Sequence, residues 1–324
     1  MSFEEVTRVK QLDSHTYSVN FSPAWVIGTV PHGGYVTACF MCVVRKHFDT
    51  TVRKQNQPHT MTLHLDFLRR TQIGPGTFKV KDVKLGRQTT IVHVALIQDG
   101  REEVVGYITN SNMNDETGVT FTTAWNLHPE SLPVSDFAAL ECNEDPLWGE
   151  RDQWPTADFR KATTHLRSWF PRAGQPSPTH LNMWYCFKDS NSRFTNESLG
   201  FVCDAFPQVM EYFLLGGVDS YSLEFEQKHS QAEQKRIIGQ HASMWYPTVL
   251  LNLEVKKALP AEGVKWLFVR LETKRIRNGR YDLEVLVLDE TMDLVAVSNH
   301  VCFAVSAARN MAARRKVEAG EAKL

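Results

Sequence analysis

Strict alternation of apolar and polar residues marks two segments of the chain, residues 59–69 and 247–257, as half-buried strands. Successive side chains of a strand point to opposite faces, so each segment predicts an antiparallel sheet with one buried face. The apolar positions are Leu63, Leu65 and Phe67 in the first segment and Leu251, Leu253 and Val255 in the second.

The two strands belong to a longer internal repeat. Thr60 of the first corresponds to Thr248 of the second, 188 residues later. Asp99, within residues 97–110, corresponds to Asp289 at a spacing of 190 residues. Two matches at nearly one spacing indicate a duplication.

Each half also carries one apolar stretch too long for a strand, which predicts a helix over residues 33–48 and another over 197–215. Thr195 and Asn196 could cap the second helix through their side-chain oxygens. The order in each half is then a helix followed by strands, which predicts an α+β fold of two tandem units, each a long helix wrapped by an antiparallel β-sheet. The further strands are predicted at residues 77–84, 90–98 and 104–109, and at 266–274, 281–288 and 294–304.

These elements divide the chain into four parts. Residues 1–126 form the first unit, 127–160 a linker, 161–308 the second unit and 309–324 a tail. Prolines interrupt any period between residues 111 and 158, which indicates a long connection. Residues 219–240 have no counterpart in the first half, so we expect them to lie outside the sheet.

Composition narrows the class of protein. The 324 residues are 42% apolar and 23% charged with a net charge of −1, which excludes a disordered chain and a strongly basic nucleic-acid-binding one. There is no apolar run of 18 residues and the N-terminal stretch is acidic and polar, so we expect a soluble intracellular protein without a membrane span.

The six cysteines of an intracellular protein are expected to be reduced. Cys39 and Cys42 have C-x-x-C spacing but lie in the apolar helix, which favours core packing over a zinc or redox site.

Four short motifs, taken in order, carry a family likeness. They are Trp25-Val26-Ile27-Gly28, Pro31-His32-Gly33-Gly34-Tyr35, Asp204-Ala205-Phe206-Pro207 and Tyr246-Pro247-Thr248. The chain resembles the double-hotdog acyl-CoA thioesterases over residues 21–110 and 180–305, in particular the thioesterase-like proteins related to bacterial acyl-CoA thioesterase II. In that fold a helix is wrapped by an antiparallel sheet.

The resemblance implies hydrolysis of an acyl-CoA or a related acyl or polyketide thioester by a water molecule. An Asp, a Thr and a Gln of the second half would hold that water, and these places fall on Asp204, Thr248 and His300. The last is a departure, because the family has Gln where this chain has His. An imidazole can still donate or accept a hydrogen bond, and it can also carry a proton. The resemblance implies no metal or redox cofactor.

Gly33, Gly34 and Tyr35 are the candidate substrate-binding residues. Backbone N–H groups at the start of the first helix could face the thioester oxygen, because the N-terminal end of a helix favours negative charge.

Each candidate residue also has a purely structural explanation. Gly33 and Gly34 would allow close packing of the helix, and Asp204 could pair with a buried hydroxyl or lysine. Thr248 could be present because Thr is common in strands, and His300 could be a hydrogen-bonded core histidine.

Other functions remain open at this stage. A hotdog dehydratase or cyclase acting on a carrier-bound acyl chain is one, although the stretch from Asp204 to Gln208 lacks the Asp-x-Asn-Pro-x-His signature of hydratases. A non-catalytic acyl-binding module is another. No G-x-S-x-G motif is present, which disfavours a serine nucleophile. A homo-oligomer is possible.

The last three residues, Ala322-Lys323-Leu324, resemble the Ser-Lys-Leu peroxisomal address with Ala in place of Ser. They predict recognition by a peroxisomal import receptor and a peroxisomal location, otherwise a cytoplasmic one.

Overall fold

The computed structural model describes residues 2–151, 154–241 and 244–312. Ala322-Lys323-Leu324 lies outside the described residues, so the peroxisomal address stays a prediction. Within the described ranges, no helix combines the length and apolar character needed to cross a bilayer.

Both halves are built from a helix and antiparallel strands, as predicted. The helices are α1 (Phe3–Val6), α2 (Gly33–Asp49), α3 (Phe137–Glu141), α4 (Leu199–Asp204), α5 (Glu211–Leu214), α6 (Leu223–Lys228), α7 (Gln231–His241) and α8 (Ala308–Met311), with 3-10 turns at Arg53–Gln55 and Lys161–His165. The strands of the first half are β1 (Lys10–Gln11), β2 (Thr16–Phe21), β3 (Val26–Ile27), β4 (Val30–Pro31), β5 (His59–Phe67), β6 (Gly74–Lys84), β7 (Thr90–Gln98) and β8 (Arg101–Ser111). Those that follow are β9 (Trp148–Glu150), β10 (Leu166–Pro171), β11 (His180–Phe187), β12 (Met244–Trp245), β13 (Thr248–Val255), β14 (Leu267–Glu272), β15 (Ile276–Arg277), β16 (Arg280–Leu288), β17 (Leu294–Phe303) and β18 (Val305–Ser306).

One continuous sheet joins the two halves. Among the described residues it has fourteen strands, in the order β1-β2-β6-β7-β8-β5-β13-β17-β16-β14-β11-β10-β9, with β15 paired to β16. The two alternating segments, β5 and β13, pair antiparallel at its middle, with His64 opposite Asn252. These residues are 188 positions apart, the spacing of the repeat. A local two-fold axis therefore passes between them, and the predicted duplication is confirmed in the strand order.

Helix α2 follows its prediction closely. It spans Gly33–Asp49, most of its residues are buried, and Lys46 and His47 lie in its last turn where cations are favoured. Its N-cap is His32, whose Nδ1 accepts the backbone N–H of Gly34 at 3.0 Å. The first helix of the duplication is thus fixed at its start by a histidine rather than by the usual Ser, Thr, Asp or Asn.

The prediction of one helix over residues 197–215 is wrong. Helix α4 ends at Asp204, and only the short α5 follows after an irregular stretch. Pro207 explains the break, because proline lacks an N–H and disfavours helical geometry in the residue before it. The predicted caps are also wrong: Ser198 is the N-cap, and its hydroxyl donates to the Thr195 carbonyl. The side chain of Asn196 instead bonds the backbone of Leu259.

Helices α2 and α4 cross at glycines. A Cβ on Gly34 would lie 2.8 Å from the Phe201 carbonyl oxygen, and one on Gly200 would lie 2.9 Å from the backbone N of Ala38. These distances are too short for real carbon contacts, so glycine is required at both points of the crossing. Gly34 and Gly200 occupy equivalent places, and four residues further on α2 has Ala38 where α4 has Asp204.

The segment between the halves is more than the predicted connection. It contains α3 and β9, and β9 pairs with β10 to extend the sheet. Residues 127–148 also cover the outer face of the second half's sheet. The buried members of this cluster are Leu127, Leu140, Trp148, Trp169, Trp184, Cys186, Trp266, Phe268 and Leu288. Residues 219–240 lie outside the sheet, as predicted, and form most of α6 and α7.

We expect Trp148→Ala to lower the free energy of unfolding by about 3–5 kcal/mol, because it removes a fully buried indole from this cluster. Trp125→Ala, just before this segment, is the control: its side chain is 47% exposed, and its loss should change stability by less than about 0.5 kcal/mol. Urea unfolding of both variants measures the difference. A Trp148→Ala loss as small as that of the control would show that residues 127–148 do not support the sheet.

Candidate active site

A cavity of about 850 Å³ opens where the N-terminal end of α2 meets the C-terminal end of α4. Its wall includes His32, Gly33, Asp204 and Thr248, contributed by α2, α4 and the start of β13. The sheet pairing of β5 with β13 and the crossing of the two helices bring these residues together from distant parts of the sequence.

Asp204 is buried, with 3% of its surface exposed, and it is the last residue of α4. Thr248 Oγ1 donates to its Oδ1 at 2.8 Å. His300 Nδ1 lies 3.5 Å from the same oxygen, and His32 Nδ1 lies 3.9 Å from Oδ2. Burial alone raises the pKa of this carboxyl, but the contacts with His300 and the Thr248 hydroxyl help to outweigh it, and the pKa lies below its usual value of 3.8. The group is therefore a carboxylate at neutral pH.

Gly33 and Gly34 lie against different parts of the structure. A Cβ on Gly33 would lie 2.6 Å from Asp204 Oδ2, so the missing side chain leaves room for the carboxylate at the cavity wall. Gly34 serves the helix crossing, and its N–H is already donated to His32. Of the two, Gly33 is thus the one at the cavity, and the packing explanation holds for Gly34.

Tyr35, which the sequence suggested as a substrate-binding residue, is a core side chain. It is fully buried, and its hydroxyl donates to the Val6 carbonyl at 2.7 Å and accepts the Ser22 N–H at 3.4 Å. It does not line the cavity. Its side chain therefore anchors the N-terminal segment and does not contact the cavity.

His32 is a cavity residue that the sequence analysis did not select. Its Nδ1 accepts the N–H groups of Gly34 and Tyr35, so the neutral ring carries its proton on Nε2. Burial lowers the pKa of this histidine and keeps the ring neutral. His32 thus brings a neutral N–H donor to the cavity. A histidine at the N-cap before Gly-Gly was the one signal that could have identified it.

His300 lies behind Asp204 and not on the cavity wall. Ser298 Oγ donates its single proton to the Asn252 carbonyl at 2.6 Å, so it must accept the Nε2–H of His300 at 2.8 Å. The Nδ1 of His300 then faces Asp204 Oδ1 at 3.5 Å. The ring is thus held by Ser298 with one edge toward the carboxylate.

The first half contains a partial copy of this arrangement. Thr60 and Asn110 stand at the repeat positions of Thr248 and His300, and their side chains lie 3.4 Å apart. Ala38 stands where the second half has Asp204. The first-half copy therefore lacks the carboxylate.

Several arginines line the cavity. The guanidinium of Arg70 donates to backbone carbonyls of residues 309, 310 and 312, which holds the α8 segment against the opening. Arg160 is buried and pairs with Glu211 and Gln208. The other arginines of the wall are Arg69, Arg101 and Arg309. An opening with this charge suits an anionic group.

Comparisons with known proteins agree over most of the chain. A family model described as the acyl-CoA thioesterase N-terminal domain matches residues 21–111, and the corresponding C-terminal domain matches 130–304. The thioesterase-like protein TwmA of Talaromyces wortmannii is 38% identical over 95% of this chain and 93% of its own length.

Solved structures share the fold. A hot dog fold protein of unknown function from Alicyclobacillus acidocaldarius has a TM-score of 0.65 at 13% identity, covering 94% of this chain and 98% of that protein. Acyl-CoA thioesterase II TesB2 of Mycobacterium marinum has a TM-score of 0.57 at 15% identity, with the same coverage. The predicted double-hotdog architecture is confirmed.

Proposed function

The chain belongs to the acyl-CoA thioesterase family, and we propose that it hydrolyses acyl thioesters with a water molecule held by Asp204 and Thr248. The observation that carries this proposal is the 2.8 Å hydrogen bond between Thr248 and a buried carboxylate on the cavity wall. An ionised carboxylate is costly in an apolar helix, and here its partners keep it charged beside open space.

The reaction follows from this arrangement. Asp204 accepts a hydrogen bond from the water, whose oxygen attacks the thioester carbonyl carbon. The neutral His32 ring and the N-terminal end of α2 at Gly33 would stabilise the oxyanion that develops. The carbon–sulfur bond then breaks, and the proton that leaves the water passes through Asp204 to the departing sulfur. Asp204 thus both orients the water and carries its proton.

The substrate we propose is an acyl-CoA or a related acyl or polyketide thioester. The cavity arginines support a phosphate-bearing thiol carrier, since guanidinium groups bind phosphate oxygens well. Release of free thiol from acyl-CoAs of graded chain length is the experiment that tests the activity. Acyl-CoA binding without thiol release would favour the acyl-binding module instead.

We expect Asp204→Asn to lower kcat by about 100-fold or more, since losing one positioned acid–base group typically costs that much. The fold should persist, which thermal unfolding can check. The duplication offers a matched control: Thr248→Val should slow hydrolysis, whereas Thr60→Val, at the repeat position in the half that lacks the carboxylate, should not. A folded Asp204→Asn protein with ordinary turnover would refute the assignment.

His300→Gln restores the family residue, and we expect the variant to keep substantial activity. A Gln amide can donate a hydrogen bond toward Asp204 as an imidazole N–H can. Initial rates of thiol release measure this, and a loss as large as that of Asp204→Asn would contradict it.

A substitution of Arg309 tests whether the cavity recognises the phosphates of the thiol that carries the acyl group. Its side chain is exposed, lines the cavity and makes no ion pair within the described residues. An exposed ion pair is worth up to about 1 kcal/mol, so Arg309→Ala should raise KM for acyl-CoA by up to about fivefold. KM for the phosphate-free acyl-pantetheine should stay unchanged. Arg53→Ala, an exposed arginine away from the cavity, is the control; an equal effect on both substrates would argue against phosphate recognition.

A further inference from the structure

A second group of chemically active side chains lies away from the cavity, at the C-terminal end of α2. His15 comes from the turn before β2, His47 from the last turn of α2 and Asp82 from β6. The two Nε2 atoms face different oxygens of one carboxylate: His47 Nε2 lies 2.9 Å from Oδ1, and His15 Nε2 lies 3.2 Å from Oδ2. The three ligand atoms lie within 4.8 Å of one another.

The Nδ1 atom of His47 lies 2.9 Å from the Tyr17 hydroxyl, which can donate its own proton to the Ser14 carbonyl at 3.3 Å. With its proton on Nδ1, donated to Tyr17, a neutral ring has a lone pair on Nε2. That lone pair would be directed at the space beside Asp82 Oδ1, which lies 2.9 Å away, as a metal ligand requires.

We propose that His15, His47 and Asp82 bind one divalent first-row transition-metal ion, with Zn²⁺ as the reference case. A single cation at this point would be bound by two imidazole nitrogens and one carboxylate oxygen, and imidazole is a preferred ligand of such ions. In tetrahedral zinc sites with bonds of about 2.0–2.1 Å, neighbouring ligand atoms lie about 3.3 Å apart. The observed separations of 2.9 and 3.2 Å are near that value, so small movements would admit the ion.

Contacts at the Nδ1 atoms already orient both histidine rings. The Nδ1 of His15 contacts Ser14 Oγ at 2.8 Å, as that of His47 contacts Tyr17, so both rings present Nε2 to the same point. Such outer partners are typical of histidines that bind metals. The backbone of His15 is fixed as well, because its carbonyl accepts the Val80 N–H at 2.8 Å.

One side of the group is open to solvent. His47 is fully buried, but the side chains of Asp82 and His15 are 23% and 42% exposed. An ion could therefore enter from that side and keep a water as its fourth ligand. None of the three residues lines the cavity of Asp204. The ion would tie the first helix to the sheet, independently of hydrolysis.

Metal titration of the full-length chain tests the proposal. The protein is stripped with EDTA and titrated with Zn²⁺ by calorimetry and with Co²⁺ by its visible absorption, and unfolding is followed with and without Zn²⁺. We expect one ion per chain, a tetrahedral Co²⁺ band and a rise in Tm with Zn²⁺. His15→Asn and Asp82→Asn should each weaken binding by about tenfold or more.

His64→Asn is the matched control. Its ring is also 42% exposed and lies 3.3 Å from the Asp66 carboxylate, but no third ligand joins that pair within the described residues. This variant should bind as the wild type does. Wild-type protein that binds no ion, or binding that survives both His15→Asn and Asp82→Asn, would overturn the proposal and leave a hydrogen-bonded His-Asp-His network.

Discussion

The pairing of β5 with β13 is the constraint on which the rest of the structure depends. It joins the halves in one sheet about a local two-fold axis at His64 and Asn252. Two helices on the same face must then cross, and they do so at Gly34 and Gly200 with too little space for a Cβ. This crossing brings the N-terminal end of one helix to the C-terminal end of the other, which is where the cavity lies.

Symmetry of this kind would give two equivalent sites, and the side chains remove the equivalence. Asp204 is the decisive difference, because its counterpart Ala38 offers no charge. A carboxylate at the C-terminal end of a helix is disfavoured by the helix dipole as well as by burial. It is stable here because Thr248 donates to it and His300 lies beside it, and both residues come from the second half. Thr60 and Asn110 show how much of the arrangement remains without the carboxylate.

Alternation and repeat spacing were enough to predict most strands, since one face of each is buried and the period of two is visible in the sequence. The second helix was predicted too long because its apolar content continues past Pro207, where backbone geometry ends it. Residues 127–148 were assigned to a linker because their tryptophans and leucines have no regular period, although they bury a sheet face. His32 was missed for a different reason. Its role follows from the backbone N–H groups of the first helical turn, which donate to Nδ1 and leave the proton on Nε2. Those hydrogen bonds exist only in the folded backbone.

The partners of Asp204 link the chemistry of the site to the stability of the fold. Its pKa is lower in the folded chain than the ordinary value of 3.8, so the folded state favours the anion. The resulting stabilisation is fully present above the unfolded pKa and is lost as the pH falls through the lower folded value. His300 contributes to this effect from behind the carboxylate, without touching the cavity. An exchange between Gln and His at this position therefore changes the group that Asp204 faces while leaving the side chains that line the cavity as they are.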